Sequence, residues 1–498
     1  MSVTSKPFFQ PLDRVAIALM LLLSLLIGLL LWQPRAVAPR VRDFSWQDKK
    51  VGAQDTSFTL TFSRPMDKKS VEANLQIDPP LPGKTAWAGR RMAYTLTAPA
   101  PYGTPYQVQL RFAQEARFTK SENLGKPIQP FSASFRTRDR ALVYLGVEAE
   151  EQGRLVLYNL TQQQKTLLTP KELVVVDFKP YPAGDSVLFS ATERKSLPQS
   201  LLSSQLYTVT TGIQIESSSN PDPPAGKIDL VLDSKDYQNL KFDLSADGQI
   251  IVVQRVNERN PGEFGLWVLR ANELPQPLET QPGGDFMITP DSATVAVAQG
   301  QGVAILPLQS EAKKPLDFLP QFGMVLGFSQ DGSVSAMVKF NSDYTRSLFL
   351  VTNGGVQKEL LRTTGSILSA QFDPRKQTLY CLLTQLLQGE TYEEQPYLAA
   401  IDINSGKQAP LLVLPNQQDV QMSLSPDGLA LLFDQVVTAT TSSDLSQAKG
   451  LRTNDGKAIA TSRLWLLPLL PTRSVEATPA QLQPEQLPLA GFHPRWLP

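Results

Sequence analysis

The sequence predicts a mainly β chain: an N-terminal transmembrane helix, a small β-sandwich and a larger region of repeated four-stranded units. Three observations carry this. An uninterrupted apolar run lies near the N-terminus, short alternating segments fill residues 41–137, and one turn motif recurs seven times between residues 178 and 494. The chain of 498 residues carries 40 prolines and 30 glycines, which favours short strands joined by turns over long helices. Its length asks for two to four cores.

The first element is Val15–Trp32, VAIALMLLLSLLIGLLLW, which holds no charge and only Ser24 as a clearly polar residue. A run of this length reaches the lower end of what crosses a bilayer, and Trp32 suits a headgroup boundary. Residues 1–14 are then an N-terminal tail and 33–40 a linker. Ala36-Val37-Ala38 has the small-x-small form of a signal-peptide cleavage site, but Pro39 would follow the cut and the apolar core is long, so an uncleaved anchor is expected. Lys6 and Arg14 precede the run, and Arg35, Arg40, Arg42, Lys49 and Lys50 follow it. That count favours a cytoplasmic C-terminal side.

Residues 41–137 read as a sandwich. Phe58–Phe62, Leu75–Ile77, Tyr94–Leu96, Tyr106–Leu110 and Phe131–Phe135 each alternate apolar with polar, the period of a half-buried strand, with Pro/Gly turns between them.

Residues 138–498 repeat. The anchors are Phe178-Lys179-Pro180, Leu244–Gly248, Ile288–Ser292, Phe328–Gly332, Phe372–Arg375, Leu424–Gly428 and Phe492-His493-Pro494. The four from 244 to 372 are spaced by 44, 40 and 44 residues, the size of a four-stranded blade. In each, an apolar residue ends a strand, a Ser-Pro-Asp-Gly-type turn follows, and a second apolar strand such as Ile250–Val253 or Leu431–Phe433 begins. Asp247, Asp291, Asp331 and Asp427 are read as turn carboxylates. Tyr207, Trp267 and Trp465, on third strands, are read as packing between units. Longer intervals at 191–226, 384–395 and 437–461 read as loop insertions. Ala141–Leu145 and Leu155–Tyr158 lack a preceding first strand, and Leu487–Phe492 lacks followers. Joined, they complete one unit from both termini, giving seven units with six as the fallback.

The FSRPMD segment, YTLTAPAPYGTPYQVQL and FSASF resemble the bacterial Ig-like domain of S-layer and other envelope proteins. The recurring SPDG turns with LLF-type strands resemble TolB-like or WD-type β-propellers. These resemblances imply an Ig-like β-sandwich and a seven-bladed β-propeller that serves as a docking surface. The short tail, single anchor and large β-rich body also resemble a signal-anchor protein of the bacterial inner membrane, possessing periplasmic domains. On that resemblance the exported orientation is adopted against the charge count. The Gln/Pro-rich repeat has a cyanobacterial look.

Chemistry is not visible in the sequence. Lys+Arg and Asp+Glu balance at 47 each, so no global field steers the chain to nucleic acid. Cys381, the lone cysteine, lies in an apolar run and reads as an inert buried thiol, and His493 is the lone histidine. No P-loop, GxSxG, HExxH or EF-hand motif occurs. Gly354-Gly355 reads as a turn. No catalytic, cofactor-binding or metal residue is assigned, and no cofactor is expected. The expected function is a non-catalytic, membrane-anchored protein-binding or assembly scaffold of the bacterial envelope, with a protein partner on one propeller face and the membrane held by residues 15–32. The alternatives are a structural envelope spacer, and an enzyme or small-molecule-binding propeller with an unrecognised site.

Overall fold

The computed structural model describes residues 11–32, 38–116, 125–196, 204–213, 224–278, 283–300, 302–308, 317–389, 392–415, 417, 419–439, 451–453, 456–469 and 483–498. Most of residues 1–14 and 33–40, and the polar runs 214–223 and 440–450 read as insertions, lie outside them. Strand dominates. The chain divides into two compact units: Met1–Ser45, Phe58–Thr95 and Gln107–Ala133 form one, and Trp46–Ser57, Leu96–Tyr106 and Ser134–Pro498 the other.

Pro11–Trp32 is helical, but the expected membrane span is corrected. Among the described residues no helix is long and apolar enough to cross a membrane. With the transmembrane helix of residues 15–32 go the membrane partner and the single-pass inner-membrane localisation.

In the first part of the chain two four-stranded sheets form. Ser57–Phe62 buries Phe58, Leu60 and Phe62 on one face, as alternation predicts. Phe58 meets Phe44 edge-on at 5.3 Å and stacks on Tyr94 at 5.0 Å. Sequence alternation missed the edge strand Gly83–Ala88, whose residues are half-buried at best, and the short helix Lys68–Asn74, which buries only Val71. Glu72 on that helix accepts hydrogen bonds from Thr85 Oγ1 at 2.6 Å and Trp87 Nε1 at 2.9 Å.

The remainder is seven four-stranded antiparallel sheets, numbered I to VII along the chain. Sheet I holds Gly491–Trp496, Ala141–Gly146, Leu155–Asn159 and Gln164–Leu167. Sheet II runs from Leu173–Pro180 to Ile228–Leu232, III from Tyr237–Leu244 to Gln276–Pro277, and IV from Phe286–Ile288 to Asp317–Leu319. Sheet V runs from Met324–Phe328 to Gln357–Thr363, VI from Ile367–Phe372 to Gln408–Val413, and VII from Met422–Leu424 to Glu485–Gln486. Apolar clusters join neighbours: Leu188 and Leu206 of sheet II meet Phe242 and Val253 of III, and Tyr380 and Leu398 of VI meet Leu431 and Phe433 of VII. Tyr207, Trp267 and Trp465 sit in such clusters, and each also contacts a ring of its own sheet, Phe189, Tyr237 and Phe433.

Two expectations change here. The closed seven-bladed propeller gives way to a coarser description, a β-rich repeat of sheets. Its members are unequal: the fourth strands of III and VII have two residues, whereas Ile459–Pro468 has ten. The C-terminal strand is also displaced from Leu487–Phe492 to Gly491–Trp496, because Leu487 and Leu489 are spent on the core shared with sheet VII. It pairs Gly491 with Gly146 and Trp496 with Leu142 around a bulge, where His493 takes φ +54°.

Candidate functional site

The turn carboxylates stand between the first and second strands of sheets III, IV, V and VII. Ser245 Oγ donates to Asp247 Oδ1 at 2.6 Å, and the same oxygen accepts the Gln249 N–H at 2.9 Å. Asp331 and Asp427 repeat the pattern with Ser329 and Ser425, and Asp291 with Thr289. Gly248, Gly332 and Gly428 follow at φ +73°, +67° and +72°. These carboxylates are engaged in turns, as their spacing implies. Gly355 likewise closes a turn at φ +78°, with its N–H on Thr352 O.

Side chains of the inner strands bridge successive sheets. Asp243 of III accepts the Ile288 N–H of IV at 2.8 Å and pairs with Lys179 of II. Gln371 of VI donates to Met422 O at 3.0 Å and accepts the Leu424 N–H at 2.7 Å. Asp434 does the same for the last junction. Its oxygens accept the N–H of Gln421 and, from the C-terminal strand, of His493, both at 2.7 Å. Burial pushes the Asp434 carboxyl up to about 7. Burial, then the Arg495 guanidinium, pushes His493 down to about 4, with Asp177 opposing. His493 Nε2 lies 3.2 Å from Arg495 Nη2 and Nδ1 lies 3.7 Å from Asp177. The lone histidine is therefore part of a junction. Cys381 is buried in sheet VI and burial raises its thiol, in line with an inert role.

One polar opening of the second unit is a cleft of about 430 Å³ at the outer strands of sheet I. The turn after Leu155–Asn159 supplies one wall. Asp139 accepts hydrogen bonds from Asn159 Nδ2 at 3.0 Å and Gln162 Nε2 at 2.5 Å, and an ion pair from Arg136 at 3.1 Å. Arg138 is locked by backbone carbonyls, Nε on Lys50 and Nη1 on Ala183 and Pro498. Burial lowers its proton affinity, while Asp55 and Asp185 restore part of it. Gln164, Thr166 and Thr211 complete the lining. Gly103, at φ +63°, passes beneath this turn where an added Cβ would stand 2.6 Å from Thr161. Behind it, the Arg140 guanidinium lies over Trp496 at 4.7 Å and Tyr102 at 5.3 Å. Sequence reasoning missed this cleft because its walls come from segments with no motif of their own. Among the described residues no group of three or more His, Cys, Asp or Glu side chains is placed to hold a metal ion.

No protein-family model and no curated protein matches this chain. Solved structures give distant likenesses. TolB from Acinetobacter baumannii is 11% identical over 80% of each chain, with a TM-score of 0.39. Oligogalacturonate lyase from Vibrio parahaemolyticus is 11% identical over 64% of this chain and 83% of its own, with a TM-score of 0.42. Hydrazine synthase of Kuenenia stuttgartiensis is 13% identical over 56% and 84%, with a TM-score of 0.35. The expected membership of the bacterial Ig-like and TolB-like or WD-type families, and the cyanobacterial membrane protein built on it, are therefore corrected to a β-rich repeat fold with distant similarity to TolB- and lyase-type structures.

Proposed function

We propose that the second unit is a binding module that takes a small polar solute in the cleft at sheet I and does not transform it. One observation carries the reading: a cleft of about 430 Å³, within the range of small-molecule sites, whose donors and acceptors are already oriented. Asp139, Asn159, Gln162 and Arg136 hold one another in place, so ligand binding there orders few side chains. Exposed Gln164 and half-buried Thr166 stand at its edge and remain adaptable. A lining engaged in mutual hydrogen bonds supports recognition over proton transfer.

The test is isothermal titration of the full chain against neutral sugars and polyols, amino acids and dicarboxylates, beside Gln164→Leu and Thr166→Val. One class is expected to bind, and both variants weaken it while melting as the parent does. Absence of binding by every class, or binding indifferent to both substitutions, refutes the cleft.

The second reading, a protein-binding scaffold, is favoured by Tyr344 and Tyr392, which are 93% and 73% exposed on loops of sheets V and VI. Aromatic residues so exposed are common anchors of interfaces. Crosslinking beside a Tyr344→Ser/Tyr392→Ser variant separates the two: loss of a reproducible partner supports the scaffold.

A further inference from the structure

A second opening, of about 390 Å³, lies at the opposite ends of sheets I and II. Four cations from three loops converge on it. Arg154 begins the strand Leu155–Asn159, Lys171 lies in the connection to sheet II, and Arg194 and Lys195 lie in the 3-10 turn after Ser186–Glu193. Two carboxylates, Glu150 and Glu172, share the lining, so the opening keeps two net positive charges.

The guanidiniums are fixed without carboxylates. Arg154 donates from Nε to Thr169 O at 2.6 Å and from Nη1 to Glu150 O at 3.2 Å. Arg194 donates from Nε to Lys171 O at 2.7 Å and from Nη2 to Gln152 O at 2.7 Å. Gly153, at φ +72°, lets Arg194 come close: an added Cβ would stand 3.3 Å from its Nη2. Other cations of the unit divide between the two arrangements: Lys165 pairs with Glu151 at 2.9 Å and Arg463 with Glu148 at 2.7 Å, whereas Lys358 rests on the carbonyls of Ile403 and Asn404. Among the described residues none of these four cations has an ion-pair partner. Burial and then Arg154 lower the proton affinity of Arg194, with Glu172 opposing.

Two guanidiniums that line one opening and rest on neutral carbonyls repel each other, and Glu172 offsets this only in part. An anion between them relieves it, and a planar donor set fixed in advance suits the oxygens of a phosphoryl group. We propose that this opening is a binding site for a multiply charged phosphate-type oxyanion. Arg154 and Arg194 supply oriented donors, Lys171 and Lys195 supply charge, and the volume admits a group larger than a single phosphate. The proposal stands apart from the cleft at sheet I and shares no residue with it.

The probe is inorganic pyrophosphate, titrated into the full chain at low ionic strength, where surface charge is least screened. Saturable binding is expected, with inorganic phosphate weaker. Arg194→Gln is expected to reduce affinity at least tenfold, equivalent to about 1.4 kcal/mol. Lys195→Gln, on an exposed side chain with no hydrogen bond or ion pair among the described residues, keeps the proposal testable if Arg194→Gln unfolds and is expected to weaken binding severalfold. Arg463→Gln, at a paired cation, leaves it unchanged. No saturation up to roughly 10 mM at low salt, or equal affinity in Lys171→Gln, Lys195→Gln and the parent, overturns the proposal.

Discussion

Removing the Asp434 carboxylate tests how the last junction of the repeat is held. The side chain is fully buried, and its two oxygens are the acceptors for the Gln421 and His493 N–H groups at 2.7 Å. Asp434→Ala strands both donors, at about 1–3 kcal/mol each, so the expected loss is about 2–6 kcal/mol. Asp434→Asn keeps one acceptor and is expected to lose about 1–3 kcal/mol at low pH. The pH dependence gives the sharper result. Burial raises the folded-state pKa from 3.8 to about 7, so the folded protein holds the proton more tightly. Stability from this group is therefore fully present below the unfolded pKa and is lost as pH rises to about 7, by about 4 kcal/mol in all. Asparagine has no such proton, so the deficit of Asp434→Asn should shrink and then reverse as pH rises from 4 to 8, since the parent's loss of about 4 kcal/mol exceeds the variant's initial deficit of about 1–3 kcal/mol. His493 titrates in both proteins, and its contribution cancels in the comparison. Urea unfolding followed by tryptophan fluorescence at intervals of pH measures the midpoints. Parallel profiles for parent and Asn variant, or an Ala variant within about 1 kcal/mol of the parent, would refute the reasoning.

His493 carries the opposite sign: its pKa is depressed to about 4, so its stability is present above the unfolded value and falls by about 3 kcal/mol as pH drops from 6.5 to 4. His493→Asn, which tolerates positive φ, should remove that acid loss, seen as a flatter urea midpoint below pH 6. Trp496→Ala should cost about 3–5 kcal/mol, since the ring is buried, donates from Nε1 to Ser423 O at 3.1 Å and carries Arg140 on its face. Limited proteolysis should then cut the C-terminal strand first. Gly428→Ala should cost about 1–2 kcal/mol in melting experiments, because φ is +72° and the added Cβ would meet Pro374 at 2.8 Å.

What was legible in the sequence was local. A strand with one buried face announces itself by alternation, so Ser57–Phe62, Pro105–Leu110 and Phe131–Thr137 coincide with predicted segments. A Ser-x-Asp-Gly turn closes its hydrogen bonds within about five residues, so its copies at 245–248, 329–332 and 425–428 mark sheets III, V and VII. The apolar run before residue 33 showed the limit of composition: it marks a helix, and no membrane span is found among the described residues.

Tertiary structure decided what depends on distant partners. Gly491–Trp496, and not the apolar segment just before it, pairs with residues nearly 350 positions away, because core packing with sheet VII claims Leu487 and Leu489. Asp434 and His493 carry shifted protonation because neighbouring sheets exclude water from them. Arg154, Lys171 and Arg194 belong to no common motif, and only the stacking of sheet I on sheet II gathers them around one opening. Local hydrogen bonding writes itself into neighbouring residues; burial and charge convergence do not, since they depend on which surfaces the fold brings together.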